Sequence, residues 1–146
     1  MAVPLIGKVV LDTNVFIDYL RAARHADWVW GGAAPRIRFL SAVVVLELRL
    51  GAESPRRRRA VDRIVGAFPP ERVLAPTAPL FEQAGQLFHR LYVGGEGLRD
   101  RLGPINDLLI ALTAWRIGAT VVTANSGEFN RIAGHLPGLV VVEPSP

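Results

Sequence analysis

At 146 residues, half of them hydrophobic and 21% charged, the chain has the size and composition of one globular domain and not of a disordered segment. It contains no cysteine, which excludes disulfide frameworks, thiolate nucleophiles and cysteine-held zinc, so any metal must be held by oxygen or histidine. The formal net charge of +4 comes from seventeen basic residues, of which Lys8 is the only lysine; it points to a polyanionic partner, nucleic acid or an acidic protein segment, although an arginine excess also follows from a GC-rich genome.

Residues 1–10 are apolar but interrupted by Lys8 and followed at once by Asp12, a poor secretory signal. No window approaches the roughly 18 to 20 apolar residues of a membrane helix. The expectation is a cytoplasmic protein with no membrane segment.

In chain order, residues 9–11 form an apolar run that reads as a buried strand, and Asp12-Thr13-Asn14 supplies cap residues for a helix over about 15–23. The stretch with Trp28, Trp30 and Gly31-Gly32 predicts a short helix or an ordered loop. Residues 36–40 alternate as a strand, Ser41 caps a helix over 42–50, and Gly51 ends it. Ser54-Pro55 opens a further helix whose apolar face is Ala60, Val61, Ile64, Val65 and Phe68. Residues 72–75 are the third strand. Thr77 then begins an amphipathic helix through Leu80, Ala84, Leu87, Phe88 and Leu91. A flexible connection is expected at Gly94, Gly95, Gly97 and Gly103-Pro104, then a mostly buried helix over 105–117 and a strand over 120–123. A short polar helix or turn leads to a last strand at 139–142.

Strands alternating with helices along the whole chain predict an α/β fold: a mainly parallel central sheet of four to five strands flanked by helices, in a single domain over residues 1–146 without repeat or linker. In such sheets the ligand site lies beyond the carboxyl ends of the strands.

Three acids stand in apolar surroundings, where a carboxylate costs free energy unless compensated. Asp12 ends the first strand, Glu47 interrupts residues 42–50, and Asp107 sits between Ile105 and the run 108–112. Taken singly, Asp12 and Asp107 also read as helix-capping acids and Glu47 as the partner of Arg49 or a distant arginine. Taken together, converging carboxylates are what Mg²⁺ or Mn²⁺ prefers. Such a site acidifies a bound water and places it against a phosphodiester.

Four segments carry a resemblance: VVLDTNVFID at 9–18, LSAVVVLELRLGA at 40–52, INDLLIALTA at 105–114 and VVTANSGEF at 121–129. In order and spacing they resemble the PIN-domain nucleases, and within them the VapC-type toxins of toxin–antitoxin systems. The resemblance implies an endoribonuclease that hydrolyses RNA phosphodiester bonds with Mg²⁺ or Mn²⁺, a homodimer, and a small VapB-like antitoxin as partner. It makes Asp12, Glu47 and Asp107 the catalytic, metal-holding acids. Asn125 falls where many relatives carry a further Asp and others Asn. Thr13 and Thr123 resemble hydroxyls that line the site and orient water, or else are a cap and a strand-end residue.

Asp18 and Glu128 are read as solvated, and His25, His89 and His135, which share no spacing, as ordinary surface or partly buried residues. Arg56, Arg57, Arg58 and Arg59 form either a solvated helical face or a contact for RNA phosphate or an acidic partner. Trp115 follows a core pattern; Trp28 and Trp30 are candidates to stack on bases or to cover a partner groove. Two alternatives stay open: a PIN domain that binds RNA without cutting it, for which Asn125 is the support, and a receiver-like phospho-acceptor module using Asp12, against which the lack of a late lysine counts.

Overall fold

The computed structural model describes residues 7–32, 35–92 and 101–145. Strands β1 (Gly7–Leu11), β2 (Arg36–Ser41), β3 (Val73–Leu74), β4 (Thr120–Val122) and β5 (Val141–Val142) form one sheet in the order β3-β2-β1-β4-β5. Every pairing is parallel, so the expected mainly parallel sheet is parallel throughout. Val9, Val10, Leu11, Val121 and Val122 are each at most 1% exposed. A parallel strand covered on both faces reads as an unbroken apolar run, which is why these two strands stood out in the sequence.

Helices supply the crossovers that parallel strands require: α1 (Thr13–Ala22), α2 (Ala26–Trp30), α3 (Ala42–Gly51), α4 (Pro55–Gly66), α5 (Ala78–Leu91), α6 (Leu102–Arg116) and α7 (Ser126–Ala133). The sequence builds outward from β1 through β2 to β3, then returns to the other side of β1 for β4 and β5. The order therefore reverses between β1 and β4, and the crevice at their carboxyl ends is the switch point where ligands bind in such sheets.

Local boundaries follow the caps. Asp12 accepts from the Thr13 backbone N–H and starts α1 two residues earlier than the expected boundary. Ser41 caps α3 by accepting from Val43 N at 3.1 Å. Helix α6 begins at Leu102, not near Ile105: Pro104 is its third residue, where an N–H has no intrahelical acceptor and its loss is harmless. Gly103-Pro104 is thus the first turn of a helix and not linker. The connection expected at Gly94, Gly95 and Gly97 lies outside the described residues. From Leu108 to Leu112 every residue of α6 is at most 5% exposed, as in a helix enclosed on all sides.

The corner of α1 and α2 corrects two readings. His25 is buried, with Nδ1 2.9 Å from the Ser145 carbonyl oxygen and Nε2 3.3 Å from Asp18 Oδ2. Asp18 is therefore paired, not merely solvated. Trp28 is buried too: the Arg36 guanidinium covers its ring at 3.5 Å and its Nε1 donates to Ser145 Oγ. This ring is closed off from a base or partner, whereas Trp30 is 41% exposed and edge-on to Tyr19. Trp115 packs against the core as expected and donates to the Pro137 carbonyl.

Candidate active site

The first acid is placed by the strand that precedes it. Asp12 follows Leu11, its backbone N–H donates to the Val122 carbonyl, and its side chain is held at the switch point between β1 and β4. Oδ1 accepts from Thr13 N at 2.8 Å and Oδ2 from Thr123 Oγ1 at 2.9 Å. Burial raises its carboxyl to about 6, against the hydrogen bonds from Thr123 and Thr13, with the charge of Glu47 adding to the rise. Asp12 thus caps α1 and faces a second carboxylate at once.

Glu47 comes from α3, one and a half turns beyond the end of β2. Thr13 Oγ1 donates to its Oε1 at 2.5 Å and Asn106 Nδ2 to its Oε2 at 3.3 Å. Both donors are neutral, so its charge is oriented and not cancelled. Arg49, the partner considered for it, is instead paired with Asp62 at 2.6 Å on the surface.

Asp107 lies in the second turn of α6 and caps nothing. Burial, then the charges of Asp12, Glu47 and Glu128, raise its carboxyl to about 8, with no hydrogen bond from the described residues opposing them. Asp12, Glu47 and Asp107 therefore stand within one another's fields. Among the described residues no basic side chain forms a salt bridge with any of them, and no three acids or histidines are drawn close enough to make a ready cation cage. Carboxylates that repel stay apart until something positive gathers them. A hard, oxygen-seeking cation fits this donor set: three acidic side chains from three elements, two of them oriented by neutral donors.

Thr13 and Thr123 are both buried and both donate to an acid, Thr13 to Glu47 and Thr123 to Asp12. Asn125 is exposed; its backbone N–H donates to Thr123 Oγ1 at 2.9 Å and its side chain caps nothing. Glu128, read from the sequence as solvated, is instead half-buried, accepts a hydrogen bond from the Tyr92 hydroxyl and acts on Asp107. Burial and the bond to Glu128 push the Tyr92 phenol up to about 12, so it remains a donor. Asn14, expected only as a cap residue, and Asn106, not singled out in the sequence, also serve the site. Asn14 Oδ1 accepts from Ala124 N and its Nδ2 donates to Thr123 Oγ1, tying α1 to the end of β4. Each lies beside an expected acid or hydroxyl in the sequence, which is the one signal that marked them.

A groove of about 680 Å³ runs past Glu47, lined by apolar Ile17, Leu20, Leu48 and Val61 and by basic Arg21, Arg56 and Arg57. Arg58 and Arg59 are exposed but do not line it. The basic run is thus divided: two residues face the groove that reaches Glu47, and two continue the solvated face of α4.

No curated protein sequence matches the chain significantly. Among solved structures it is similar to a chain of DNA-bound VapBC from Salmonella typhimurium, at 27% identity and TM-score 0.65 over 94% of this chain and 98% of that one. VapBC-1 from nontypeable Haemophilus influenzae gives 26% and 0.65 over 92% and 96%. VapBC-5 from Mycobacterium tuberculosis, a member of the VapBC family of toxin–antitoxin systems, gives 24% and 0.60 over 96% and 99%. The PIN-domain family model matches residues 9–135, a span that contains all three acids, both threonines, Asn125 and Glu128. The chain belongs to the PIN-domain family.

Proposed function

We propose that this chain is a divalent-metal-dependent endoribonuclease and the toxin component of a toxin–antitoxin pair. The observation that carries the reading is the convergence of Asp12, Glu47 and Asp107 at the switch point of a PIN fold, each in the field of the others and without a basic partner among the described residues. PIN-family membership and the likeness to VapBC chains support the nuclease and toxin parts respectively.

Mg²⁺ or Mn²⁺ would be held by Asp12, Glu47 and Asp107, and when bound supplies Lewis acidity and an acidified water for phosphodiester hydrolysis. The protein's own groups do the arranging. Thr123 and the Thr13 backbone each occupy one side of the Asp12 carboxylate, leaving a lone pair on each oxygen. Thr13 and Asn106 fix Glu47 in the same way. Among the described residues none restrains Asp107 in this way. Arg56 and Arg57 line the groove that reaches Glu47 and are placed to take phosphates of an RNA strand, or acidic residues of a VapB-like antitoxin. The reading includes a homodimer and a cytoplasmic location; no helix among the described residues is long and apolar enough to cross a membrane.

The non-cleaving alternative rested on the neutral Asn125. Glu128 acting on Asp107 weakens it by restoring a fourth negative charge to the neighbourhood. The receiver-like module is set aside by the family match. The test is RNA cleavage by purified protein with Mg²⁺ or Mn²⁺, and its loss in excess EDTA. Cleavage undiminished by EDTA contradicts the proposal. Expression with and without the small open reading frame neighbouring its gene, followed by mapping of RNA ends, tests neutralisation and identifies the substrate.

A further inference from the structure

Two ties run in opposite directions between the carboxyl end of α5 and α7. Tyr92, the C-cap of α5, donates its hydroxyl to Glu128 Oε1. Arg131, one turn beyond Glu128, donates to the Leu91 carbonyl and lays its guanidinium over the Tyr92 ring, 4.9 Å from the centroid. Phe88 backs the ring at 5.0 Å. Helix α6, which carries Asp107, packs against both α5 and α7. The ties therefore span the helix that holds the least restrained acid of the site.

Left to itself, Glu128 would swing away. It has several rotatable bonds, it sits on a half-buried helical face, and the Asp107 carboxylate repels it. An arginine partner would hold it but would cancel much of its charge. Arg131 is directed elsewhere, to a carbonyl and an aromatic face, and forms no salt bridge with Glu128. The Tyr92 hydroxyl is a neutral donor, so it restrains the carboxylate without pairing it with a cation. Outer partners of metal-holding carboxylates act in this way.

We infer that Tyr92 is a positioning residue for the acidic site: its hydroxyl holds the Glu128 carboxylate in place on α7, against the helix that carries Asp107, and Arg131 fixes the ring that carries the hydroxyl. The inference rests on the metal-site reading above and adds an outer support that the three acids alone do not include. Tyr92→Phe deletes the hydroxyl while keeping the ring on Phe88 and under Arg131. Glu128→Gln keeps an acceptor but removes the charge.

The experiment is Mn²⁺ binding, by calorimetry or electron paramagnetic resonance, to the full chain as parent, Tyr92→Phe, Glu128→Gln and the double variant, with unfolding in EDTA measured in parallel. Tyr92→Phe should weaken Mn²⁺ about tenfold, the order expected for an outer partner of a ligand set, and lower kcat for RNA while leaving KM within twofold. Its unfolding midpoint in EDTA should match or exceed the parent's. In the Glu128→Gln background the same change should have no further effect, because the hydroxyl acts through that charge. Mn²⁺ affinity of Tyr92→Phe within twofold of the parent, or full additivity in the double variant, overturns the inference. Should Tyr92→Phe fold poorly, Arg131→Gln should still weaken Mn²⁺ by about threefold, a smaller effect of the same kind; no change there overturns it equally. A parent that binds no Mn²⁺ and cuts no RNA removes both this inference and the proposed function. A parent that does both beside an unaffected Tyr92→Phe removes only the inference.

Discussion

Two ends of helix α1 treat their acids differently. Toward its carboxyl half Asp18 faces His25 at 3.3 Å, and elsewhere on the surface Asp62 faces Arg49 at 2.6 Å. At its amino end Asp12 joins Glu47 and Asp107, and no basic side chain among the described residues pairs with any of the three. Where an acid serves the fold, the fold supplies its hydrogen-bonding or basic partner. Where three acids act on one another without a basic partner, burial plus mutual repulsion raise two of the carboxyls to about 6 and about 8.

The largest effect should come from breaking the unpaired end. Asp107→Asn should reduce RNA cleavage by at least about 100-fold, since even outer partners of metal ligands are worth about 10 to 100. Asp18→Asn, at the paired end, should leave kcat within a few-fold of the parent. Single-turnover cleavage with both variants at saturating Mn²⁺ checks this; equal losses would erase the distinction between the two ends.

The same contrast predicts a pH dependence of stability. Asp107 holds its proton more tightly folded, at about 8, than the ordinary carboxyl value of 3.8. The native state therefore binds more protons than the unfolded one between those values. Stability from this group is fully present below about pH 4 and is lost as pH rises toward 8, with a slope of at most about 1.4 kcal/mol per pH unit. Chemical denaturation of the metal-free protein from pH 4 to 8 should show that fall in the parent. Asp107→Asn should show a shallower one. A parent and variant of equal slope would mean that Asp107 ionises as an ordinary carboxyl.

A smaller effect sharpens the contrast on the cationic side, where Arg49 is engaged with Asp62 and Arg56 and Arg57 line the groove. Replacing Arg56 and Arg57 with Gln should reduce the salt dependence of single-stranded RNA binding by about 1.4 in the log–log slope, about 0.7 for each phosphate no longer neutralised. Replacing Arg58 and Arg59 should change it little. Filter binding across a salt series measures both; an unchanged slope in the first pair returns all four arginines to a solvated face.

Much of this was legible in the sequence, for identifiable reasons. β1 and β4 are apolar runs covered on both sides, Ser41 and Ser54 are cap residues, and the three acids interrupt otherwise apolar segments. The misread parts lack that local signature. Gly103-Pro104 resembles linker, yet a proline is tolerated in the first turn of a helix. β3 and β5 lie inside the expected spans 72–75 and 139–142 but are two residues each, so their bounds and not their existence escaped the sequence. His25 and Trp28 are buried by Ser145, more than a hundred residues away in the chain, and no window of sequence holds both sides of that contact. Glu128 looked solvated because its partners, Tyr92 and Asp107, come from other helices. Contacts that only topology creates were the ones missed.

The central claim, that the acidic end of the site is strained without a cation, is tested most directly by denaturant unfolding of the parent, Asp107→Asn and Asp18→Asn in EDTA and again in saturating Mg²⁺. Two carboxylates about 6 to 8 Å apart at an effective dielectric near 20 interact by about 2 to 3 kcal/mol before screening. Asp107→Asn should therefore be as stable as the parent in EDTA, or up to about 2 kcal/mol more stable, and Mg²⁺ should stabilise the parent more than the variant. Asp18→Asn should lose about 1 to 2 kcal/mol in EDTA with its partner His25 left behind, and should keep the full Mg²⁺ stabilisation. An Asp107→Asn protein clearly less stable than the parent in EDTA, and stabilised equally by Mg²⁺, would show that Asp107 is a structural acid and contradict the account.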